Sequence, residues 1–515
     1  MSSTTAEVIE EMPAVSAAHR RYPRLTPDEA AALIFDGAMI GFSGFTPAGA
    51  AKAVPKALAA RARQMHAEGK PLAVRVLTGA STGANLDEAL AQANAVAWRA
   101  PYQSSKTLRQ RINAQQCQFM DLHLSHVAQM IEFGFLGNLD FAVVEASDIT
   151  PDGRVYLTTS SGISPSVLRH ADKVIIELNR HHSTRLYEMH DVTILPPPPH
   201  RSSIPIFHPM TKIGVPFANV DPAKVVGIVE TDEPDGVAGF DEPDAVSAKI
   251  AEHIIAFLMN EMCAGRIPPE FLPLQSGVGN VANAVMLGLG ANPDVPPFYM
   301  YSEVFQDALV DLMLDGRVLG SSATSLTLSE SQLQRVYSDF NFFGPRVVLR
   351  PQEISNNPGV VRRLGVIAIN TILEMDIYGC ANSTHVCGTN LMNGVGGSGD
   401  FVRNSYLSIL VAPSVAKGGR ISAVVPMCSH VDHNEHSVQI LVTEQGLADL
   451  RGLGPIERAE TIISKCAHPA YREYLYQYLE DAPMGHFRHD LAKVFELHRN
   501  LIEQGSMLPD VKIAP

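Results

Sequence analysis

The sequence predicts an α/β fold of two tandem, related domains with mainly parallel sheets. Two observations carry that prediction. Runs rich in β-branched residues and of buried-strand length, Phe141–Glu145, Val174–Leu178 and Val225–Val229, alternate with helical stretches. Strands covered on both faces by crossover helices read this way. The second half of the chain then repeats the grammar of the first: Gln275–Asn280 followed by a helix from Val281 resembles Ser43–Gly49 followed by its own helix.

In order along the chain, Asp28–Phe35 reads as helix, Ala38–Phe42 as strand, Ser43–Gly49 as a turn, and the segment through Ala60 as helix. Leu72–Leu77 reads as a strand running into the glycine-bearing turn Thr78–Gly83. Pro196–Pro199 excludes a helix interior or a central strand and marks a loop or extended excursion. Thr231–Pro243, rich in Asp, Glu, Pro and Gly, marks the domain boundary, and a long helix follows over Ala245–Ala264. The two extended segments Val143–Ala146 and Asp152–Val155, with a turn between them, have a weak counterpart in Ile372–Gly379. The expected organisation is a flexible arm over 1–22, a first domain over 23–230, a linker over 231–244 and a second domain over 245–515.

The 515 residues carry 40 Lys+Arg against 54 Asp+Glu, a formal charge of −14. That balance argues against nonspecific nucleic-acid binding, and any polyanionic ligand must meet a local basic cluster. No apolar run reaches the ~20 residues of a membrane span. The N-terminus carries Glu7, Glu10 and Glu11 without an apolar stretch, unlike a secretory or transit peptide. Six sparse, irregularly spaced cysteines read as reduced thiols. The expected location is the cytoplasm.

Chemistry concentrates in the second half. Glu303 closes the apolar stretch Pro297–Ser302 and opens Val304–Leu309, and two glycine-rich turns, Gln275–Asn280 and Asn393–Asp400, accompany it. A carboxylate at a strand end can act as a nucleophile where backbone N–H groups hold an oxyanion. Glycine turns supply such groups, because without Cβ the backbone approaches a ligand closely. The plain alternatives are a capping glutamate, a tight turn and a mobile loop. Lys417-Gly418-Gly419-Arg420, with Arg362, Arg363 and Arg403, offers the cations a phosphate-bearing ligand needs. Cys428–His436 gathers a cysteine, three histidines and two carboxylates, but has no second ligand pair elsewhere at zinc-like spacing. A polar loop lining a site is the reading there, with no metal.

These segments together resemble the acetyl-CoA hydrolase/transferase family, within the class I CoA-transferases. The resemblance runs from Gly41–Thr46 to the end of the chain. Its marks are Leu274–Asn280, Tyr301–Val304, Ser355–Pro358, Asn393–Phe401 and Thr443–Gly452. Within the family, Trp98–Gln103, Arg350–Asn357 and Cys428–His433 look most like propionyl-CoA:succinate CoA-transferases. Succinyl-CoA:acetate CoA-transferases are nearly as similar.

The resemblance implies two CoA-transferase-type α/β domains with the site between them, and a homodimer. It implies that Glu303 is the nucleophile, that Val278 and Gly397 supply the oxyanion hole, and that Asn356 and Glu444 position the Glu303 carboxylate. Gln275, Ser276, Gly277, Val278, Gly279, Asn393, Gly397 and Lys417 would contact coenzyme A. CoA would be substrate and covalent intermediate, with no permanently bound cofactor. Partners would be acyl-CoA and small carboxylates, with CoA transfer between propionyl-CoA or acetyl-CoA and succinate as the activity, and succinyl-CoA:acetate CoA transfer or acetyl-CoA hydrolysis at the same site as the alternative.

Overall fold

A computed structural model describes residues 21–239, 243–277 and 279–509. The chain is a mixed α/β protein of two lobes. A nine-stranded sheet organises the first and an eight-stranded sheet the second. The parallel strands of the first sheet are Met39–Phe42, Val74–Leu77, Val96–Ala100, Gln118–Phe119, Phe141–Ile149, Lys173–Asn179 and Val225–Thr231. Those of the second are Leu274–Ser276, Phe298–Tyr301, Val318–Ala323, Val347–Leu349, Ile367–Thr371, Leu407–Val411 and Ile440–Thr443. Numbered by chain order within each lobe, both sets lie in the order 4-3-2-1-5-6-7, and every neighbouring pair is parallel.

The likeness extends beyond order. In each lobe the first strand leads through a glycine turn into a helix, Ala53–Ala67 in one and Asn280–Ala291 in the other. The fifth strand of the first sheet folds back antiparallel as Arg154–Leu157. Its counterpart runs on into Glu374–Asp376, which folds back as Ala381–Asn382. Strand order reverses in each sheet at the first strand, where it lies between the second and the fifth. In open parallel sheets such a switch point, at the carboxyl ends of the strands, is where ligands bind.

The segment around the four prolines is a strap from the first half of the chain that crosses the second lobe. Its Ile204 and Ile206 are buried against Tyr301, Ile354 and Val360. Arg363 donates to the carbonyls of Ile204 and Ile206. Arg350, fully buried, pairs with Asp191 and donates to the carbonyls of Pro209 and Thr211 at 2.9 and 2.7 Å. The Asp191 carboxylate also accepts from the N–H of Ile213 at 2.8 Å. Removing one member of a buried pair strands the other without water, at a cost of about 3–5 kcal/mol. Asp191→Ala should therefore lower unfolding stability by that amount in a denaturant titration, and a loss within 0.5 kcal/mol of zero, the scale of an ordinary surface substitution, would contradict the stapling role.

The segment read as a linker is not a free tether. Asp235 is buried in the first lobe, where Lys52 Nζ meets it at 3.0 Å and the Gly49 N–H donates to it at 3.1 Å. Residues 1–20 of the arm expected over 1–22, residues 240–242, Val278 and residues 510–515 lie outside the described residues. At the end of that arm Tyr22 is buried, and its hydroxyl donates to the Thr150 carbonyl at 3.1 Å.

Candidate active site

A cleft of about 550 Å³ opens between the lobes. It is built from the carboxyl ends of both sheets, as the switch-point topology requires. From the first lobe come Thr46, Ser81 and Tyr102, following its first, second and third strands. From the second come Gly277, Glu303 and Asn370, at its first, second and fifth strands.

Glu303 sits where Phe298–Tyr301 breaks before continuing as Val304–Gln306. Its carbonyl accepts from the N–H groups of Thr324 and Ser325 at 2.8 and 3.2 Å, which fixes the backbone at the break. Asn356 Nδ2 donates to its carboxylate at 2.7 Å. Asn356 is itself fully buried at the end of the short helix Gln352–Ser355, and its Oδ1 accepts from Ser355 Oγ at 2.9 Å. That bond fixes the amide so that its N–H₂ faces Glu303. Burial pushes the Glu303 carboxyl up to about 7; the Asn356 bond works against this and the Asp400 charge adds to it.

The glycine loop 393–400 closes over this carboxyl. A Cβ built on Gly397 would fall inside the Glu303 carboxyl group, so the absence of a side chain there is a steric requirement. The loop is held from the opposite lobe. Asp121 accepts from the Val395 N–H at 2.9 Å, and Ser125 donates from its N–H and its hydroxyl to Asp400 at 3.0 and 2.5 Å. Asn393 Nδ2 donates to the Tyr102 hydroxyl at 3.1 Å. The loop is thus clamped, against the plain alternative of a mobile surface turn. Desolvation raises Asp121 to about 7 and Asp400 to about 6.

The other residues singled out in the sequence fall into place unevenly. Gln275 and Ser276 belong to the strand Leu274–Ser276 rather than to a turn. Gln275 exchanges two side-chain bonds with Asn370, at 3.3 and 3.0 Å, and the Ser276 carbonyl accepts from Ser302 Oγ at 3.1 Å. Gly277 lines the cleft and Gly279 caps the following helix with φ +116°. Asn393 and Gly397 reach the cleft.

Glu444 departs from the expectation that it positions Glu303. Its carboxylate accepts from the N–H of Ser414 at 2.8 Å and from Gln445 Nε2 at 3.0 Å, and also from the Ser414 hydroxyl. No hydrogen bond joins it to Glu303 among the described residues, because the tight Ser414 bonds turn it toward the loop that follows the strand Leu407–Val411. Lys417 lies at the exposed tip of the hairpin Val415–Ala416/Ile421–Ser422, and its carbonyl accepts from Arg420 Nε at 3.0 Å. Tyr102, Asp121 and Ser125 had no role in the sequence reading. Tyr102 falls in a family-like phrase, but nothing local marks Asp121 or Ser125.

The side chains of Cys428–His436 do not converge. Cys428 is buried against the Cys380 carbonyl, His430 faces Asp432, His433 meets Ser398 Oγ at 3.2 Å, and His436 faces Glu435 at the surface. Among the described residues one group has metal-ligand proximity: Glu145, His182 and Asp235, all buried. There the Lys52 ammonium pairs with both carboxylates and supplies the cation itself.

The comparisons decide the family. The acetyl-CoA hydrolase/transferase N-terminal domain profile matches residues 12–230, and the C-terminal domain profile of the same family matches residues 333–479. The chain belongs to the acetyl-CoA hydrolase/transferase family. It is 57% identical to the propanoyl-CoA:succinate CoA transferase of Escherichia coli K12, over 95% of this chain and 99% of that one. It is 44% identical to the succinyl-CoA:acetate CoA-transferase of Clostridium kluyveri, over 94% of this chain and 90% of that one. The fold matches the crystal structure of RipA from Yersinia pestis with a TM-score of 0.68 at 24% identity, over 90% of this chain and 97% of that one. As a member of this family the chain is an enzyme. No helix among the described residues is long and apolar enough to cross a membrane.

Proposed function

We propose that this family member moves coenzyme A between a short-chain acyl-CoA, propionyl-CoA or acetyl-CoA, and succinate, by a ping-pong route through a Glu303–CoA thioester. The observation that carries the reading is the Glu303 carboxylate in the interlobe cleft, oriented by Asn356 and packed against the side-chain-free Gly397. In the first step a Glu303 oxygen attacks the thioester carbonyl. The C–S bond breaks, and an acyl-glutamyl anhydride and CoA thiolate form. The thiolate attacks the Glu303 carbonyl carbon and expels the donor's carboxylate, leaving the thioester. Succinate then reverses these steps, giving succinyl-CoA and free Glu303.

Two backbone N–H groups, of Gly397 and of Val278, are assigned to the oxyanion; removing one such donor in other enzymes costs ~3–4 kcal/mol. Gln275–Gly279, Asn393, Gly397 and Lys417 are assigned to CoA. A carboxyl shifted upward by burial is also a better nucleophile once ionised, because little water must be stripped from it. The homodimer and the cytoplasmic location belong to the same reading; the six free thiols fit a reducing compartment.

The test supplies propionyl-CoA with and without succinate. Succinyl-CoA should form only with succinate present, and hydroxylamine should intercept a CoA adduct on the Glu303 peptide. Thioester loss indifferent to succinate would move the reading to hydrolysis. Glu303 must be ionised to attack, and its carboxyl is raised to about 7. The free-enzyme kcat/KM for propionyl-CoA should therefore be flat above that pH and fall about tenfold per unit below it. A profile flat down to pH 5 would mean that the attacking group is not this carboxyl.

A further inference from the structure

The cleft carries a second chemical feature besides its nucleophile. None of the described residues lining it is a lysine, arginine or histidine; its polar groups away from Glu303 are hydroxyls, amides and backbone. A dicarboxylate seated on Glu303 would bring its far carboxylate into these surroundings. A buried anion without partners is costly, so neutral donors must hold it.

One pair of hydroxyls is placed for that task. Thr46 Oγ1 lies 2.7 Å from Thr327 Oγ1, across the boundary between the lobes, and both residues line the cleft. Thr327 Oγ1 lies 3.0 Å from Ser325 Oγ, and Thr46 Oγ1 donates to the Phe45 carbonyl at 2.5 Å. The strand Ser325–Thr327 pairs with Val304–Gln306, directly after Glu303, so the row of hydroxyls begins beside the nucleophile.

The backbone gives an independent sign. Thr46 has φ +61°, although it is β-branched and precedes Pro47. Both properties disfavour that conformation, and such strain persists only where neighbours enforce it. Here the Phe45 N–H donates to the Ala48 carbonyl at 3.1 Å, and the Gly49 N–H donates to buried Asp235 at 3.1 Å. Asp235 is fixed in turn by Lys52 and faced by His182 at 3.3 Å. A buried ionic cluster in the first lobe thus holds a strained turn that presents one hydroxyl to the cleft.

We propose that Thr46 and Thr327 form the subsite for the far carboxylate of a dicarboxylic acyl group and separate succinate from monocarboxylates of the same length. This rests on the CoA-transfer reading above. Within the protein the hydroxyl protons run along the row Ser325, Thr327, Thr46 and Phe45. Rotation about each Cβ–Oγ bond turns them toward a carboxylate while the heavy atoms stay in place. With both threonine protons turned to the ligand, the Ser325 hydroxyl, 3.0 Å from Thr327 Oγ1, can still donate to it, and that bond polarises the Thr327 donor.

The experiment compares succinate with butyrate, in which a methyl group replaces the far carboxylate. In Thr46→Val and Thr327→Val, kcat/KM for succinate should fall at least tenfold further than for butyrate, with propionyl-CoA as donor. Thr46→Ser, which keeps the hydroxyl, should hold the parent ratio. Equal losses for both acceptors, or no loss, would overturn the proposal. Calorimetric titration of the same proteins with succinate and with butyrate gives a readout independent of transfer. Selective weakening of succinate binding in a protein that transfers no CoA would leave the subsite standing and remove the transfer reading. Equal binding of both acids by parent and valine variants would remove the subsite.

Discussion

Glu303→Gln should abolish exchange, lowering the rate of transfer from propionyl-CoA to succinate by roughly 10⁴-fold or more, the scale set by removing a covalent nucleophile elsewhere. The amide is nearly isosteric and can keep its contact with Asn356, so the loss would report the missing nucleophile and not a collapsed cleft. The same substitution should raise stability, with a pH signature. A glutamate carboxyl that titrates ordinarily at 4.5 is held at about 7 by burial in the fold. The folded protein therefore binds this proton more tightly than the unfolded chain does. The penalty for burying the charge is absent below pH 4.5, grows between 4.5 and 7, and is complete above 7. Glutamine carries no such penalty. The variant should be more stable than the parent by about 1–3 kcal/mol at pH 8 and equal to it near pH 4.5, as read by paired denaturant titrations. A variant that is inactive and also less stable at pH 8 would point to a structural glutamate.

Gly397→Ala tests the second half of the site. Gly397 has φ −80° and ψ −12°, a conformation open to any residue, so alanine introduces no backbone strain. Its only effect is the methyl group, which would occupy the space of the Glu303 carboxyl. The carboxyl has to swing away from Asn356, while the loop stays clamped by Asp121 and Ser125. Displacement of a reacting group by about 1 Å can cost on the order of 100-fold. The expected result is a 10²- to 10³-fold fall in kcat with little change in melting temperature and with the CoA adduct on Glu303 no longer accumulating. A variant retaining more than a tenth of the parent kcat would separate Gly397 from the reaction. A comparable loss of stability would instead make the glycine a packing requirement.

Both predictions depend on residues that the sequence singles out for different reasons. Gly397 stands out in a loop with four glycines in eight residues, which few exposed turns need. Glu303 stands out only in company, since a glutamate at a strand end is ordinarily a cap. Asn356 enters through a family phrase, and the structure gives that phrase its meaning in one bond to the carboxylate. Glu444 shows the limit of the same reasoning: its phrase is as family-like as the others, yet its carboxylate is held by Ser414. Thr46 falls in the turn Ser43–Gly49, but nothing in the sequence marks its hydroxyl. Its φ is a tertiary property, set by a turn that Asp235 fixes from almost two hundred residues away.

By itself the sequence determined what short-range physics encodes: parallel α/β lobes, from β-branched runs spaced by helices; a repeated strand–glycine turn–helix grammar; and a nucleophile candidate flanked by two glycine turns. Tertiary structure alone decided what depends on the approach of distant segments. The clamp of Asp121 and Ser125 on the glycine loop spans about 275 residues, and the strap over the second lobe pairs Asp191 with Arg350. Periodicity and spacing carry no information about such pairings, because they arise only when both sheets direct the carboxyl ends of their strands into one shared cleft.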